Sequence, residues 1–184
     1  MHVFVTGGTG HSGPYIISEL VANGHEVTAL ARLDAAEVAL SDLGAKVRRG
    51  SLEDIDGLKE AVANSDGVIH VAHRQDLLPS GGIDAVASAE VQIMLAYGEA
   101  LEGTGKPLVV SGSIGSPGWE GLRRPATEED PALPAGDTYN GTLRARNIVE
   151  TTVIDLAGRG CGLRSCGFLP SCTARPTMPA SSRC

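Results

Sequence analysis

The segment TGGTGHSG, residues 6–13, constrains the fold of this chain more than any other stretch. It follows the apolar run HVFVT and precedes PYIISELVANG, in which Ile16 and Leu20 repeat at four-residue spacing. That spacing predicts a helix with one apolar face. Pro14 suits the first helical turn, because the N–H that proline lacks would have no intrahelical partner there. A strand, a glycine turn and a helix in succession predict the start of a βαβ unit.

Strand and helix patterns alternate along the rest of the chain. The runs HEVTALA, AKVRRG, DGVIHVAH and KPLVVSGS predict further strands, and DAAEVALSDLG, EDIDGLKEAVANS, residues 83–102 and the segment after residue 138 predict helices. Residues 114–138 are rich in Gly and Pro and predict a long loop. Strands alternating with helices imply right-handed crossovers and a parallel sheet covered on both faces. We therefore predict an α/β fold with a doubly wound parallel sheet over residues 1–160. The inward-facing residues of the last two helices are predicted to be Ile93, Tyr97, Leu101, Val149, Val153 and Leu156.

The glycines of the first turn predict nucleotide binding. Gly7, Gly10 and Gly13 have the spacing G-x-x-G-x-x-G. In a dinucleotide fold one glycine allows a tight turn, another lets the backbone approach a pyrophosphate, and the last permits close packing of helix on strand. The helix N-terminus then attracts the anion. An ordinary flexible turn is the alternative, but the position inside a βαβ unit favours a dinucleotide site. The turn residues predicted to bind it are Gly7, Gly8, Gly10, His11, Ser12 and Gly13.

The end of the second predicted strand indicates which dinucleotide is bound. An acidic residue there suits the ribose 2′-hydroxyl of NAD, whereas an arginine suits the 2′-phosphate of NADP. The strand ends ALAR, which places Arg32 at this position. Asp34 is nearby and is expected to cap the next helix. We predict NADP, with NAD and a merely solvated Arg32 as the alternatives.

Several motifs together resemble one enzyme family. TGGTGHSG with Arg32, GSLEDIDGL, DGVIHVAH, LVVSGS and TEEDP are similar to the extended short-chain dehydrogenase/reductases, the NAD(P)-dependent epimerase/dehydratase-like proteins. The resemblance spans roughly residues 1–160 and implies a Rossmann-like NAD(P)-binding domain. It also implies that Ser51 and Leu52 lie beside the adenine, although Ser51 replaces the acidic residue usual in the family. The further residues that it places beside the cofactor are Val71, Ala72 and His73.

The catalytic positions that the resemblance implies are only partly filled. The family uses a Ser or Thr after the fifth strand, a Tyr, and a Lys four residues beyond the Tyr. Ser113 and Tyr139 match the first two, but Leu143 stands at the lysine position, and no lysine follows any tyrosine of this chain by four residues. The chain therefore resembles an atypical member. It is either an enzyme that transfers a hydride between NADP(H) and a small carbonyl or hydroxyl substrate, or a non-catalytic NADPH-binding or redox-sensing module.

Charge and composition exclude other classes of partner. The net charge of −7 argues against nucleic acid, whose binding needs a basic surface. No apolar run approaches the ~20 residues that a membrane span requires, and no secretory signal opens the chain. We therefore expect a cytoplasmic protein that contacts neither nucleic acid nor membrane. His70 and His73 have no third ligand nearby in the sequence, so no metal is predicted.

Residues 161–184 differ in composition from the rest. They hold all four cysteines and show no strand periodicity, although a sixth strand is expected after the last helix. Back-translation from Leu163 with GC-rich codons, read two bases later, gives an apolar strand, a Pro-Pro turn and a His-Gly-Pro segment like those of the family. We therefore expect a frameshift product and a C-terminally incomplete domain, with a divergent natural C-terminus as the alternative. An incomplete domain would leave the fifth strand unpaired and apolar surface exposed, and a truncated product without function is then a third hypothesis.

Overall fold

The computed structural model describes residues 1–112, 141–157 and 162–163. Over these residues the chain alternates strands and helices in the predicted order. The strands are β1 (His2–Thr6), β2 (Glu26–Ala31), β3 (Lys46–Arg49), β4 (Gly67–His70), β5 (Pro107–Val110) and β6 (Gly162–Leu163). The helices are α1 (Gly13–Ala22), α2 (Asp34–Asp42), α3 (Ile55–Ala63), α4 (Leu78–Leu101) and α5 (Gly141–Ala157), and a 3₁₀ turn at Gln75–Leu77 precedes α4.

The sheet has the order β3-β2-β1-β4-β5-β6, and every described pair of strands is parallel. The chain builds outward from β1 to β3, returns to the other side of β1 with β4, and continues to β6. A crevice forms beyond the carboxyl ends of the strands where the order reverses, which here is between β1 and β4. The predicted doubly wound α/β fold is confirmed.

The core lies in two layers, one on each face of the sheet. Successive residues of β1 alternate between them, because strand side chains point to opposite faces in turn. Val3 and Val5 pack with α1 and α2, whereas Phe4 packs with α3, α4 and α5. We call these two layers the α1–α2 face and the α3–α5 face. The predicted inward-facing residues of α4 and α5 are all buried in the α3–α5 face: Ile93, Tyr97, Leu101, Val149, Val153 and Leu156.

Helix α4 begins irregularly and then packs closely on α5. Gly82 has a φ of 66° and interrupts the helical backbone, so the regular part begins at Ile83, as predicted. A left-handed φ is inexpensive only for glycine. Further along, Gly98 lies against the side chain of Leu156, and a Cβ at Gly98 would collide with it. This contact brings the two helices close together beside β5.

The predicted end of the domain needs one correction. We expected β5 to lack a partner, but Pro107 and Leu108 pair with Gly162 and Leu163 of β6. A parallel ladder is made by backbone groups, so two residues can extend the sheet without the side-chain periodicity by which strands are recognised. The sheet thus continues two residues past the start of the predicted tail. The frameshift remains a prediction, because residues 164–184 lie outside the described residues.

Candidate functional site

A groove of about 750 Å³ runs along the carboxyl ends of β1, β2 and β4. This is the edge where the strand order predicts a ligand. Ten of the twelve residues predicted to contact a cofactor line it. They are Gly7, Gly10, His11, Ser12, Arg32, Ser51, Leu52, Val71, Ala72 and His73. The predicted catalytic residues Ser113 and Tyr139 lie outside the described residues.

Gly7 joins the two halves of the sheet at the base of the groove. Its φ is +78°, and a Cβ there would lie 2.5 Å from the amide nitrogen of Ala72 and 2.6 Å from the carbonyl carbon of Val71. Both the backbone angle and the space therefore require glycine. The end of β1 can then approach the backbone that follows β4, and this close approach forms the floor of the groove.

Gly8 and Gly13 are absent from the groove lining and pack inward instead. A Cβ at Gly8 would lie 2.7 Å from Cδ2 of Leu40 and 2.8 Å from Cδ1 of Ile17. A Cβ at Gly13 would lie 2.5 Å from both the carbonyl carbon and the oxygen of Gly8. These two glycines thus let α1 and the turn close onto β1. Gly13 has the role of the packing glycine in the dinucleotide motif.

The start of α1 suits an anion. Ser12 is the N-cap residue but makes no side-chain capping hydrogen bond, and the first turn contains no acidic residue. The first N–H groups of a helix lack intrahelical partners, and the helix dipole adds partial positive charge there. Because Gly10, His11 and Ser12 also line the groove, these residues fit a pyrophosphate.

Four charged side chains lie at the end of the groove near β2 and β3. Arg74 is 8% exposed. Its Nε and its Nη2 each donate a hydrogen bond of 2.9 Å to a carboxylate oxygen of Asp76. Nη2 also donates a hydrogen bond of 2.8 Å to the carboxylate of Glu53. The hydrogen bond from Arg74 is the main cause of the lowered pKa of Asp76, to which Arg32 contributes a smaller part through its charge. Arg32 itself is exposed and makes no hydrogen bond or ion pair to another described residue.

The predicted role of Asp34, the acidic residue nearest to Arg32 in the sequence, needs correction. Asp34 was predicted to cap α2, but Leu33 is the N-cap residue and makes no side-chain capping bond. Asp34 is the first residue of the helix, and its carboxylate pairs with Nη2 of Arg49 at 2.7 Å. An acidic side chain is favourable in the first turn without being a cap, because the helix dipole stabilises it there.

A second polar cluster lies where the groove lining meets α4. His73, three residues beyond β4, contacts the carboxylate of Glu90 on α4 through Nδ1. Glu90 is 4% exposed. His73 and Ser111 line both the groove and a neighbouring cavity of about 60 Å³, which Glu90 and Val149 also line. Sequence reasoning placed His73 beside the cofactor but missed Glu90 and Ser111.

Glu90 had a visible signal in the sequence. It shares the buried face of α4 with Val86, Ile93, Tyr97 and Leu101, all at three- or four-residue spacing. An acidic residue within an apolar stripe is a buried charge, and buried charges need partners. Arg74 and its two carboxylate partners had no comparable signal, because Glu53 lies 21 residues before it.

A buried polar network lies below His73. Nδ1 of His70 is 2.7 Å from Oγ1 of Thr6 and 3.2 Å from the hydroxyl of Tyr97, and all three residues are buried. Burial, together with the nearby charge of His73, lowers the pKa of His70 from 6.5 to about 4. Burial also raises the pKa of Tyr97. This network joins β1, β4 and α4 in the interior.

The described part of the chain shows neither a metal-binding cluster nor a helix that could cross a membrane. Across residues 1–112, 141–157 and 162–163 there is no group of three His, Cys, Asp or Glu side chains that could hold a metal ion. Over the same residues, no helix combines the length and the hydropathy needed to cross a membrane. His70 and His73, the two histidines considered as ligands, instead bind Thr6, Tyr97 and Glu90.

The fold and the groove together define a dinucleotide-binding α/β domain. The glycine turn, the uncapped helix N-terminus and the position at the reversal of strand order are the features of that class. The chain belongs to the NAD(P)H-binding family, whose model matches residues 7–153. The predicted resemblance to the extended short-chain dehydrogenase/reductases is thereby confirmed, together with NAD(P) as the class of cofactor.

Similar proteins include reductases. The chain is 39% identical over 111 residues to an uncharacterised protein of Saccharomyces cerevisiae, covering 59% of this chain and 36% of that protein. It is 36% identical over 123 residues to the 4-hydroxy-2-methyl-3-oxo-4-farnesyl-3,4-dihydroquinoline-1-oxide ketoreductase of Stigmatella aurantiaca, covering 59% of this chain and 37% of that enzyme. Alfalfa vestitone reductase has a similar fold, with a TM-score of 0.67 and 20% identity over 89% of this chain and 55% of that one. The chain thus spans little more than a third of these curated relatives.

Proposed function

We propose that the groove binds NADP(H) and that the whole protein uses it to transfer a hydride between the cofactor and a small carbonyl or hydroxyl substrate. The adenosine half would lie toward β2, the pyrophosphate on the glycine turn, and the nicotinamide toward β4 and β5. The reductases among the similar proteins favour this reaction type. We propose that Ser113 binds the substrate oxygen; the family resemblance implies Tyr139 as the proton donor, although Leu143 stands where its lysine partner would be.

The preference for NADP rests on Arg32. Of the two arginines in the groove lining, Arg74 is already bound by two carboxylates, whereas Arg32 is exposed and makes no such bond within the described residues. A guanidinium binds a phosphate through paired, charge-assisted hydrogen bonds. A ribose hydroxyl would instead need an acceptor at this position, and Asp34 is bound to Arg49. Arg32 therefore favours the 2′-phosphate.

The proposal is tested by titrating the protein with NADPH and NADH, following the fluorescence of the reduced nicotinamide. We expect NADPH to bind at least tenfold more tightly, since a hydrogen bond to a charged group contributes about 1.5–3 kcal/mol. Arg32→Ala should remove most of that difference and leave NADH affinity nearly unchanged. Arg48→Ala is the matched control, because Arg48 pairs with Glu60 and does not line the groove. Equal affinities in the unaltered protein would contradict the role of Arg32.

A second candidate function is a non-catalytic NADPH-binding or redox-sensing module. The observation in its favour is Leu143, which stands where the family has its lysine. Both functions require the same cofactor preference, so they separate only in chemistry. Turnover that falls in Ser113→Ala favours the enzyme, whereas tight NADPH binding without reduction of any small aldehyde or ketone favours the module.

A further inference from the structure

His73 and Glu90 are two titratable side chains that contact each other where the groove meets α4. Glu90 is 4% exposed and meets Nδ1 of His73 through Oε1. A carboxylate removed from water is costly unless donors face it. With Glu90 ionised, its carboxylate can only accept hydrogen bonds, so the ring tautomer that satisfies this contact has its proton on Nδ1. Glu90 thereby fixes both the tautomer and the orientation of the imidazole ring.

The position of the pair follows from the strand order. Arg32 directly follows β2 on one side of β1, whereas His73 follows β4 on the other side. A dinucleotide whose pyrophosphate lies on the glycine turn extends to both sides of β1. If its adenosine half faces Arg32, its nicotinamide half faces the wall formed by His73 and Ser111. Both of these residues also line the smaller cavity toward α4 and α5.

We propose that His73, oriented by Glu90, is the proton-donating residue at the nicotinamide end of the groove. It would donate the proton in place of Tyr139, because Leu143 leaves Tyr139 without the lysine of the Tyr–Lys dyad. This inference rests on the proposed NADP(H)-dependent reduction, in which the bound cofactor supplies the hydride that forms the new carbon–hydrogen bond. His73 is the catalytic residue of the proposal, and Glu90 is a positioning residue that acts through it.

The proton moves in one step. As the carbonyl carbon gains its hydrogen, the π pair of the carbon–oxygen double bond shifts to the oxygen. That pair takes the proton from Nε2 of the protonated His73 ring and forms the O–H bond of the alcohol. The ring is left neutral, with its remaining proton on Nδ1 and donated to the Glu90 carboxylate, and a solvent proton then restores Nε2–H. A carboxylate behind an imidazole stabilises the charged ring and keeps it correctly oriented. Oxidation of an alcohol follows the reverse course.

Nuclear magnetic resonance of the five histidine rings tests the location without a substrate. The ring Cε1–H signals of the full chain are followed during titration with NADPH and, separately, with 2′-phospho-ADP-ribose, which lacks the nicotinamide. His11 lies on the glycine turn and should respond to both ligands. His73 should respond to NADPH and hardly at all to the truncated ligand. His2 and His25 lie at the opposite, amino-terminal edge of the strands and should respond to neither.

The outcomes separate the two proposals. If His11 responds to both ligands but His73 does not distinguish between them, cofactor binding stands and the inference about His73 is wrong. If neither His11 nor His73 responds to either ligand, the proposed function fails and the inference fails with it. A nicotinamide-dependent response of His73 supports both, because a histidine with a purely structural role away from the nicotinamide would not show it.

The role of Glu90 is tested by the nitrogen shifts of the His73 ring, which identify the protonated nitrogen. In the unaltered protein the neutral ring should carry its proton on Nδ1. Glu90→Gln replaces an acceptor with a group that can also donate, so a substantial share of the Nε2-protonated form should appear. Glu99→Gln is the matched control on the same helix, where Glu99 pairs with Lys59. A neutral ring protonated on Nε2 in the unaltered protein, or no change in Glu90→Gln, would overturn the assignment.

Discussion

The helices on the two faces of the sheet bury different kinds of side chain. On the α1–α2 face the buried residues of the helices are Gly13, Ile17 and Leu40, with no polar side chain among them. On the α3–α5 face, α4 and α5 bury Glu90, Asn147 and Glu150 among their apolar residues. Each buried polar group is costly unless it has a partner. One face therefore only packs, whereas the other also holds titratable groups in place.

The difference corresponds to two tasks at one groove. The α1–α2 face shapes the backbone: Leu40 and Ile17 fill the space that a side chain at Gly8 would occupy, so the glycine turn rests on an apolar layer. The α3–α5 face supplies titratable side chains beside the groove, through Glu90 and its contact with His73. A site for a pyrophosphate needs backbone N–H groups, and proton transfer needs titratable side chains. Each half of the groove thus has the support that its proposed task would require.

The largest effect is expected from substitutions in the glycine turn. Gly13→Ala should lower the free energy of unfolding by about 3 kcal/mol, because the new Cβ meets backbone that has no room to move aside. Gly8→Ala should cost only about 1 kcal/mol, because its neighbours are the ends of the Leu40 and Ile17 side chains, which can turn away. Urea unfolding of both variants measures the difference. Equal losses would mean that Leu40 and Ile17 cannot turn away from a side chain at Gly8, contrary to this prediction.

The next prediction concerns pH: the stability that the α3–α5 face contributes should depend on it, whereas that of the α1–α2 face should not. Burial lowers the pKa of His70 from 6.5 to about 4, so between these values the unfolded chain binds more protons than the folded one. Stability from this group is therefore complete above pH 6.5 and is lost as the pH falls toward 4. The loss should reach roughly 3 kcal/mol, as expected from the linkage of protonation to folding.

Two variants test that assignment by urea unfolding at pH 7, 5.5 and 4.5. His70→Gln removes the titrating group, so its stability should depend less on pH and approach that of the unaltered protein in acid. Leu40→Ala, on the α1–α2 face, should lower stability by about 3 kcal/mol at every pH, because it removes packing only. The lowered pKa of Asp76 acts below its ordinary value of 3.8 and thus outside this range. A His70→Gln curve parallel to that of the unaltered protein would assign the acid loss to other groups.

The same division explains what could be predicted from the sequence. The α/β alternation and the glycine turn are local patterns, and they predicted the order of elements and the groove residues Gly7, Gly10, His11 and Ser12. The resemblance to the family, and not a local pattern, predicted Ser51, Leu52, Val71, Ala72 and His73. Arg32 was found because it ends a strand that the periodicity had already placed. The pair of His73 and Glu90 joins residues 17 positions apart on different elements, and no local pattern records that contact. The topology led us to expect a sixth strand after the last helix, but its side chains did not show it, because the two residues of β6 are too few for periodicity.

The smallest effect concerns a single hydroxyl in the buried network of the α3–α5 face. The Tyr97 hydroxyl lies 3.2 Å from Nδ1 of His70, and the ring is fully buried. Tyr97→Phe keeps the ring and removes the hydroxyl, while Thr6 remains 2.7 Å from the same nitrogen. Because His70 keeps one partner, the free energy of unfolding should fall by about 1 kcal/mol, the usual net contribution of one hydrogen bond.

Tyr15→Phe is the control for that change, since it removes the same atom from a ring that is 76% exposed on α1. Its effect should stay within about 0.5 kcal/mol, as for most surface substitutions. Thermal and urea unfolding of the two variants at pH 7 give the comparison. If Tyr97→Phe proves as mild as Tyr15→Phe, the hydroxyl is not needed to hold His70, and Thr6 alone satisfies the ring. A loss near 3 kcal/mol would instead mean that the hydroxyl positions both Thr6 and His70, and the network of the α3–α5 face would then act as one cooperative unit.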